Sequence, residues 1–240
     1  MLLKNILSLI FPNHCILCSN IIESDKINYL CIDCLNNKLD YIHRDNYIRC
    51  EKCGKVKEYK DSICECSIEN NLFDECKSLL YYNTLTKELI HKMKFEHRYM
   101  LCVDFAILLS FNYREYIKKF DACLYVPLGK QRFLERGYNQ SEIIARILSE
   151  KLNIKLINDI IIRRKNTKAL SSIGNKEQRK EAIKNAFSIN KKTINKYKEF
   201  QNILIIDDVF TTGTTINEMC KELRKIEYIK RIGVLTVART

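Results

Sequence analysis

At 240 residues and 46% hydrophobic, the chain can bury the core of one α/β domain with a small accessory module beside it. A formal net charge of +12 admits acidic partners such as nucleic acid. No run approaches the ~20 apolar residues of a membrane span, so an integral membrane helix is excluded.

The first twelve residues, Met1 to Pro12, form an apolar run interrupted by Lys4, without a small-residue cleavage site and stopped by the proline. That pattern predicts a short amphipathic helix packed on the next module rather than a secretion signal. The expected compartment is the cytoplasm, where the basic surface would also suit a peripheral seat at the inner face of the membrane.

Twelve cysteines follow an ordered plan. Cys15/Cys18 and Cys31/Cys34 are two C-x2-C pairs at zinc-ribbon spacing, each knuckle supplying two thiolates. Cys50/Cys53 and Cys64/Cys66 make a second quartet that ends in the tighter C-x-C, with His43 and Cys76 as reserve ligands. Four thiolates leave no open position for a substrate water, so both sites read as structural zinc. A disulfide framework would not persist in a reducing cytosol. Cys102, Cys123 and Cys220 lie in apolar periodic surroundings and read as small core residues.

Residues 1–77 thus form a zinc-ribbon module, and residues 78–240 alternate helix and strand signals. A helix is expected over residues 84–98, with Lys87, His91, Lys94 and Arg98 recurring along one face, which could track a phosphate backbone or be simply a solvated face. Another is expected over 101–120, then a strand from Cys123 to Val126 and a basic loop containing Arg132 and Arg136. Ser141 is the expected N-cap of a helix ending near Leu152. Strands are expected at 160–163, 203–206 and 232–237, in a largely parallel sheet covered on both faces. The polar, basic segment from Arg163 to Gly174 would suit a mobile flap or equally an ordinary exposed loop, and Asn190 to Lys198 a solvated connector.

The stretch from Ile203 to Thr215 carries the most information. Four apolar residues are followed by Asp207 and Asp208, then by Thr211-Thr212-Gly213-Thr214-Thr215 and an amphipathic helix. Backbone N–H groups at a helix N-terminus and threonine hydroxyls can cradle a phosphate, while two carboxylates suit the paired hydroxyls of a ribose. A Walker B strand would need a GxxxxGK[ST] partner, which does not occur.

This stretch resembles the 5-phosphoribosyl-1-pyrophosphate (PRPP) motif of type I phosphoribosyltransferases. Read with the cysteine quartets, Phe11-Pro12, Lys94-Phe95, Val126-Pro127-Leu128, Arg136-Gly137-Tyr138-Asn139-Gln140, Ala186-Phe187 and Val237-Ala238-Arg239, nearly the whole chain is similar to the ComF (competence protein F) family. The resemblance implies a type I phosphoribosyltransferase-like parallel sheet flanked by helices and preceded by a double zinc ribbon. It also implies Mg²⁺ with PRPP at Asp207, Asp208 and Thr211 to Thr215, and pyrophosphate or DNA phosphate at Arg132 and Arg136. The implied role is handling single-stranded DNA in natural transformation beside a helicase-like competence protein. Tyr81, Tyr82 and Tyr138 could stack unpaired bases or serve as buried core tyrosines. Phosphoribosyl transfer to a base is the alternative, and no segment resembles a base-specificity hood. A PRPP-sensing regulator is a third reading.

Overall fold

Ile203 to Ile206 have almost no solvent exposure and send alternate side chains into two different cores. Leu204 and Ile206 join one, Ile203 and Ile205 the other, as a strand with both faces covered requires. Burying each such side chain contributes roughly 1.5–3 kcal/mol. The computed structural model describes residues 12–22, 27–60, 62–64, 66, 71–164 and 176–240. The helix expected at the N-terminus and most of the expected flap lie outside the described residues.

The main sheet comprises β1 (Glu75–Tyr81), β2 (Ala122–Tyr125), β3 (Lys155–Leu156), β6 (Asn202–Phe210) and β7 (Arg231–Arg239), in the order β1-β7-β6-β2-β3. All neighbours are parallel. The helices are α1 (Ile32–Asn37), α2 (Thr84–Phe95), α3 (Met100–Asn112), α4 (Arg114–Ile117), α5 (Lys130–Arg136), α6 (Gln140–Leu152), α7 (Lys176–Ile183) and α8 (Thr214–Leu223). The buried sides of α2, α3 and α6 belong to one core and that of α8 to the other.

Several expectations are corrected. The strand at 160–163 is not in the parallel sheet: β4 (Ile161–Arg163) pairs antiparallel with β5 (Phe187–Ile189) in a separate two-stranded sheet, leaving Ile162 exposed. β1 escaped the pattern because polar Ser78 sits inside it, and its hydroxyl is satisfied by the Thr236 hydroxyl at 2.7 Å. The helix over 101–120 breaks at Tyr113 into α3 and α4. The cap of α6 is Asn139, whose side chain accepts from the Ser141 amide at 3.1 Å, and not Ser141 itself. A short 3₁₀ turn, Ile194–Tyr197, lies within the expected connector.

The cysteine knuckles share the cores of the sheet. Cys15, Leu30, Cys34 and Leu35 pack with α2, α3 and α6, whereas Cys53, Cys66 and Phe73 pack on the opposite face with α8. Asp104 of α3, 1% exposed, holds the first knuckle pair in place. Its carboxylate accepts from the backbone amides of Asn28 at 2.7 Å and Tyr29 at 2.8 Å. Asp104→Ala should therefore cost about 1–3 kcal/mol, because two amides lose their acceptor. Denaturant titration of the zinc-loaded protein measures this, with faster proteolysis of the segment before Leu39 as the local sign.

Candidate functional site

The Arg136-Gly137-Tyr138-Asn139-Gln140 segment is a chain of positional fixtures. Gly137 closes α5, its amide donating to the Phe133 carbonyl at 2.8 Å. The Tyr138 hydroxyl then donates to the Met93 carbonyl at the end of α2. Asn139 caps α6 and donates through Nδ2 to the Val126 carbonyl at 3.0 Å, fastening the helix to the end of β2. Gln140 and Ser141 consequently land against the end of β6. Gln140 Nε2 donates to Asp208 Oδ2 at 2.7 Å, and Ser141 Oγ donates to Asp207 Oδ1 at 3.0 Å.

Lys94, from the last turn of α2, completes the group with Nζ 2.6 Å from Asp208 Oδ2. Arg136 stands behind, donating to Gln140 Oε1 at 3.1 Å and covering the Phe95 ring at 4.9 Å. The two carboxylates differ sharply. Burial and the neighbouring Asp208 charge push Asp207 up to about 7. Burial also opposes the charge on Asp208, yet the Lys94 ammonium outweighs it and holds this carboxyl below its usual range. Arg163 is drawn down to about 10 by burial and by Arg132 nearby, while Asp207 pulls the other way. Its Nη1 donates to the Pro127 carbonyl at 3.1 Å. Asp207, Asp208, Arg132, Arg136 and Arg163 thus share one electrostatic neighbourhood at the carboxyl end of the parallel strands, where such sheets bind ligands.

Beyond Phe210 the chain turns at Gly213, whose φ of +71° places it in the left-handed region, and α8 begins at Thr214. A Cβ on Gly213 would also meet the Phe210 ring at 2.8 Å, so only glycine fits. Thr212 Oγ1 and Thr214 Oγ1 are 2.7 Å apart. Among the described residues no backbone carbonyl accepts from the amides of Thr211 to Thr215, so the N-terminus of the ten-residue α8 presents free donors and two hydroxyls together. That combination can hold an anion.

The basic stripe divides. Lys87 and His91 are exposed on α2, Lys94 turns inward to Asp208, and Arg98 lies past the helix end over the Tyr29 ring at 5.5 Å. Tyr81 and Tyr138 are engaged through their hydroxyls, Tyr81 with Asp45 at 2.5 Å. Sequence reasoning missed Gln140, Ser141 and Arg163 as neighbours of the acids. The helix start within the Tyr-Asn-Gln-Ser run was the available signal for the first two.

Each cysteine quartet gathers four sulfurs within 4.8 Å of one another, and all are free thiols. Sulfur pairs lie at 3.6 Å (Cys18 to Cys31) and 3.5 Å (Cys50 to Cys66, Cys53 to Cys64). Disulfides would need about 2.05 Å. Tetrahedral zinc with bonds of about 2.3 Å sets sulfurs about 3.8 Å apart, so both quartets fit structural zinc. Cys64-x-Cys66 completes the second without His43 or Cys76.

Family comparisons agree with this geometry. A phosphoribosyl transferase domain matches residues 139–240, and a double zinc ribbon domain matches residues 6–67. Competence protein F of Haemophilus influenzae is 30% identical over 236 residues, 95% of this chain and 98% of that protein. Competence protein ComFC of Bacillus subtilis is 26% identical over 203 residues, covering 80% and 75%. DNA utilization protein YhgH of Escherichia coli is 26% identical over 180 residues, covering 72% and 77%. The molecule is thus a phosphoribosyltransferase-type α/β protein carrying a double zinc ribbon. The chain belongs to the competence protein F family.

Two outcomes follow. Asp208→Asn strands the Lys94 ammonium and should lower stability by about 2 kcal/mol or more, visible in denaturant titration at pH 7. Because the Asp208 pKa is depressed when folded, its contribution is present above the unfolded value and fades as pH falls through the folded one. Cys31→Ser should reduce zinc, measured by atomic absorption, from two ions per chain to one.

Proposed function

We propose that this protein binds PRPP or a related ribose phosphate with Mg²⁺ and handles single-stranded DNA during natural transformation. The observation that carries the first part is the union of the acid pair at the end of β6 with the open threonine loop at the start of α8. Asp207 and Asp208 would orient the ribose hydroxyls, and Thr211, Thr212, Gly213, Thr214 and Thr215 would hold the 5-phosphate. Arg132 and Arg136 would meet the pyrophosphate, with Arg163 beside them. The competence and DNA utilization names of the relatives support the second part, as does the +12 charge. Lys87 and Arg98 offer exposed positive groups for the strand, with His91 exposed on the same helix as Lys87, and Lys94 contributes through the acids instead. The helicase-like partner implied by the resemblance belongs to the same proposal.

Phosphoribosyl transfer is the second reading, favoured by the guanidinium groups gathered near the acids, which would stabilise a departing pyrophosphate. A pyrophosphate-release assay with a panel of bases and single-stranded DNA separates it from binding alone. Turnover with one acceptor establishes the enzyme.

Calorimetric titration with Mg²⁺ and PRPP tests the site itself. Asp207→Asn should weaken binding at least about tenfold, with the chain still folded. Wild-type affinity should rise between pH 6 and 8 as Asp207, with its pKa at about 7, ionises, and the variant should show a smaller rise, that of the ligand's own phosphates. The stability sign is opposite: a raised folded pKa stabilises below the unfolded value of 3.8 and that gain is lost as pH rises towards about 7. Equal affinity in both proteins would remove Asp207 from the site. For DNA, affinity for an oligonucleotide should fall steeply with salt, and negligible binding at low salt would end the strand-handling reading.

A further inference from the structure

Arg239, at the end of β7, is 6% exposed and connects two parts of the molecule that the sequence keeps far apart. Its Nη1 donates to the carbonyl of Cys53, a sulfur ligand of the second quartet. The same guanidinium lies over the Phe210 ring, 5.5 Å from its centroid. Phe73 holds that ring from another side, edge-on at 5.8 Å. Phe210 in turn abuts Gly213, the turning point of the threonine loop.

Close packing is evident at both ends of this line. A Cβ on Gly54, next to Cys53, would meet Arg239 Nη1 at 2.8 Å, and a Cβ on Gly213 would meet Phe210 at the same separation. Each glycine also has a positive φ, +74° and +71°, so neither turn relaxes away from its neighbour with a side chain in place. Interiors this dense transmit displacement instead of absorbing it.

Charge points the same way. A buried guanidinium needs a counter-charge, and among the described residues the contacts of Arg239 are a carbonyl and a ring, with no carboxylate. A zinc tetrathiolate at Cys50, Cys53, Cys64 and Cys66 carries a net charge of about −2 and would stand immediately beside it. The metal therefore gives Arg239 a reason to stay where it props Phe210.

We propose that Arg239 is a positioning residue that couples the second zinc cluster to the ribose-phosphate loop, so that metal in the cluster and ligand in the loop each tighten the other. This rests on the ribose-phosphate reading above. Thermodynamic reciprocity makes it measurable from either side.

The experiment titrates zinc at equilibrium against a chelating dye, with and without PRPP and Mg²⁺, alongside calorimetric PRPP affinity, in wild type and Arg239→Gln. In wild type, PRPP should tighten one of the two zinc sites several-fold. In Arg239→Gln, both ions should be retained, PRPP affinity should fall about tenfold, and PRPP should no longer alter the zinc affinity. Arg239→Lys, which keeps the charge without the planar fork, should recover part of the affinity. Wild-type zinc affinity that ignores bound PRPP overturns the coupling, as does an Arg239→Gln protein that binds like wild type. If Arg239→Gln loses its zinc or its fold, the wild-type zinc titration alone decides. A wild type that does not bind PRPP ends the ribose-phosphate reading and this inference with it.

Discussion

Two adjacent carboxylates at the end of a buried parallel strand are an expensive arrangement, and the way they are neutralised organises everything around them. Asp208 is 6% exposed, and an ionised group there stands only with a partner. Lys94 supplies the charge and Gln140 a second donor. Placing those two groups demands that α2 end and α6 begin at the same point in space. The Tyr138 hydroxyl on the Met93 carbonyl and the Asn139 amide on the Val126 carbonyl secure that coincidence. Asp207 is left as the member with the raised pKa, held by a neutral hydroxyl and an amide. One acid is thus ion-paired to Lys94, and the other accepts from neutral donors.

The parallel sheet gives the pair its position, and the cysteine knuckles close both of its flanks. The first quartet shares the core of α2, α3 and α6, and the second shares that of α8. The knuckles are consequently part of the walls that define the sheet's two faces. Metal loading and folding of the sheet are coupled in such an arrangement, since the ligands are also core residues. It follows that a lesion at one quartet is felt on the face it closes.

Legibility in the sequence tracked how local each determinant is. β6, β7 and α8 were visible because four apolar residues in a row, a glycine turn and an amphipathic repeat all lie within a few positions. The quartets were visible because knuckle spacing is fixed by metal geometry. β1 was hidden because its stability depends on a partner: Ser78 is tolerable inside a buried strand only with Thr236 across the ladder. β4 was misplaced because three apolar residues look the same whether they join the main sheet or a two-stranded one, and only its pairing with Phe187, Ser188 and Ile189 distinguishes them.

The same distinction explains the site. The acids and the threonine loop are contiguous and could be read directly, whereas Lys94 looked like one member of a surface stripe. Its spacing from Lys87 and His91 placed it on a common helical face, and nothing local said that this face meets β6. The difference between a lysine that tracks a phosphate backbone and one that neutralises Asp208 lies in the packing of α2 against the sheet end. A stripe read from periodicity therefore identifies which residues share a direction. What they face is set by tertiary contacts, and here the inward turn of one lysine changes it from a surface charge into the counter-ion of the site.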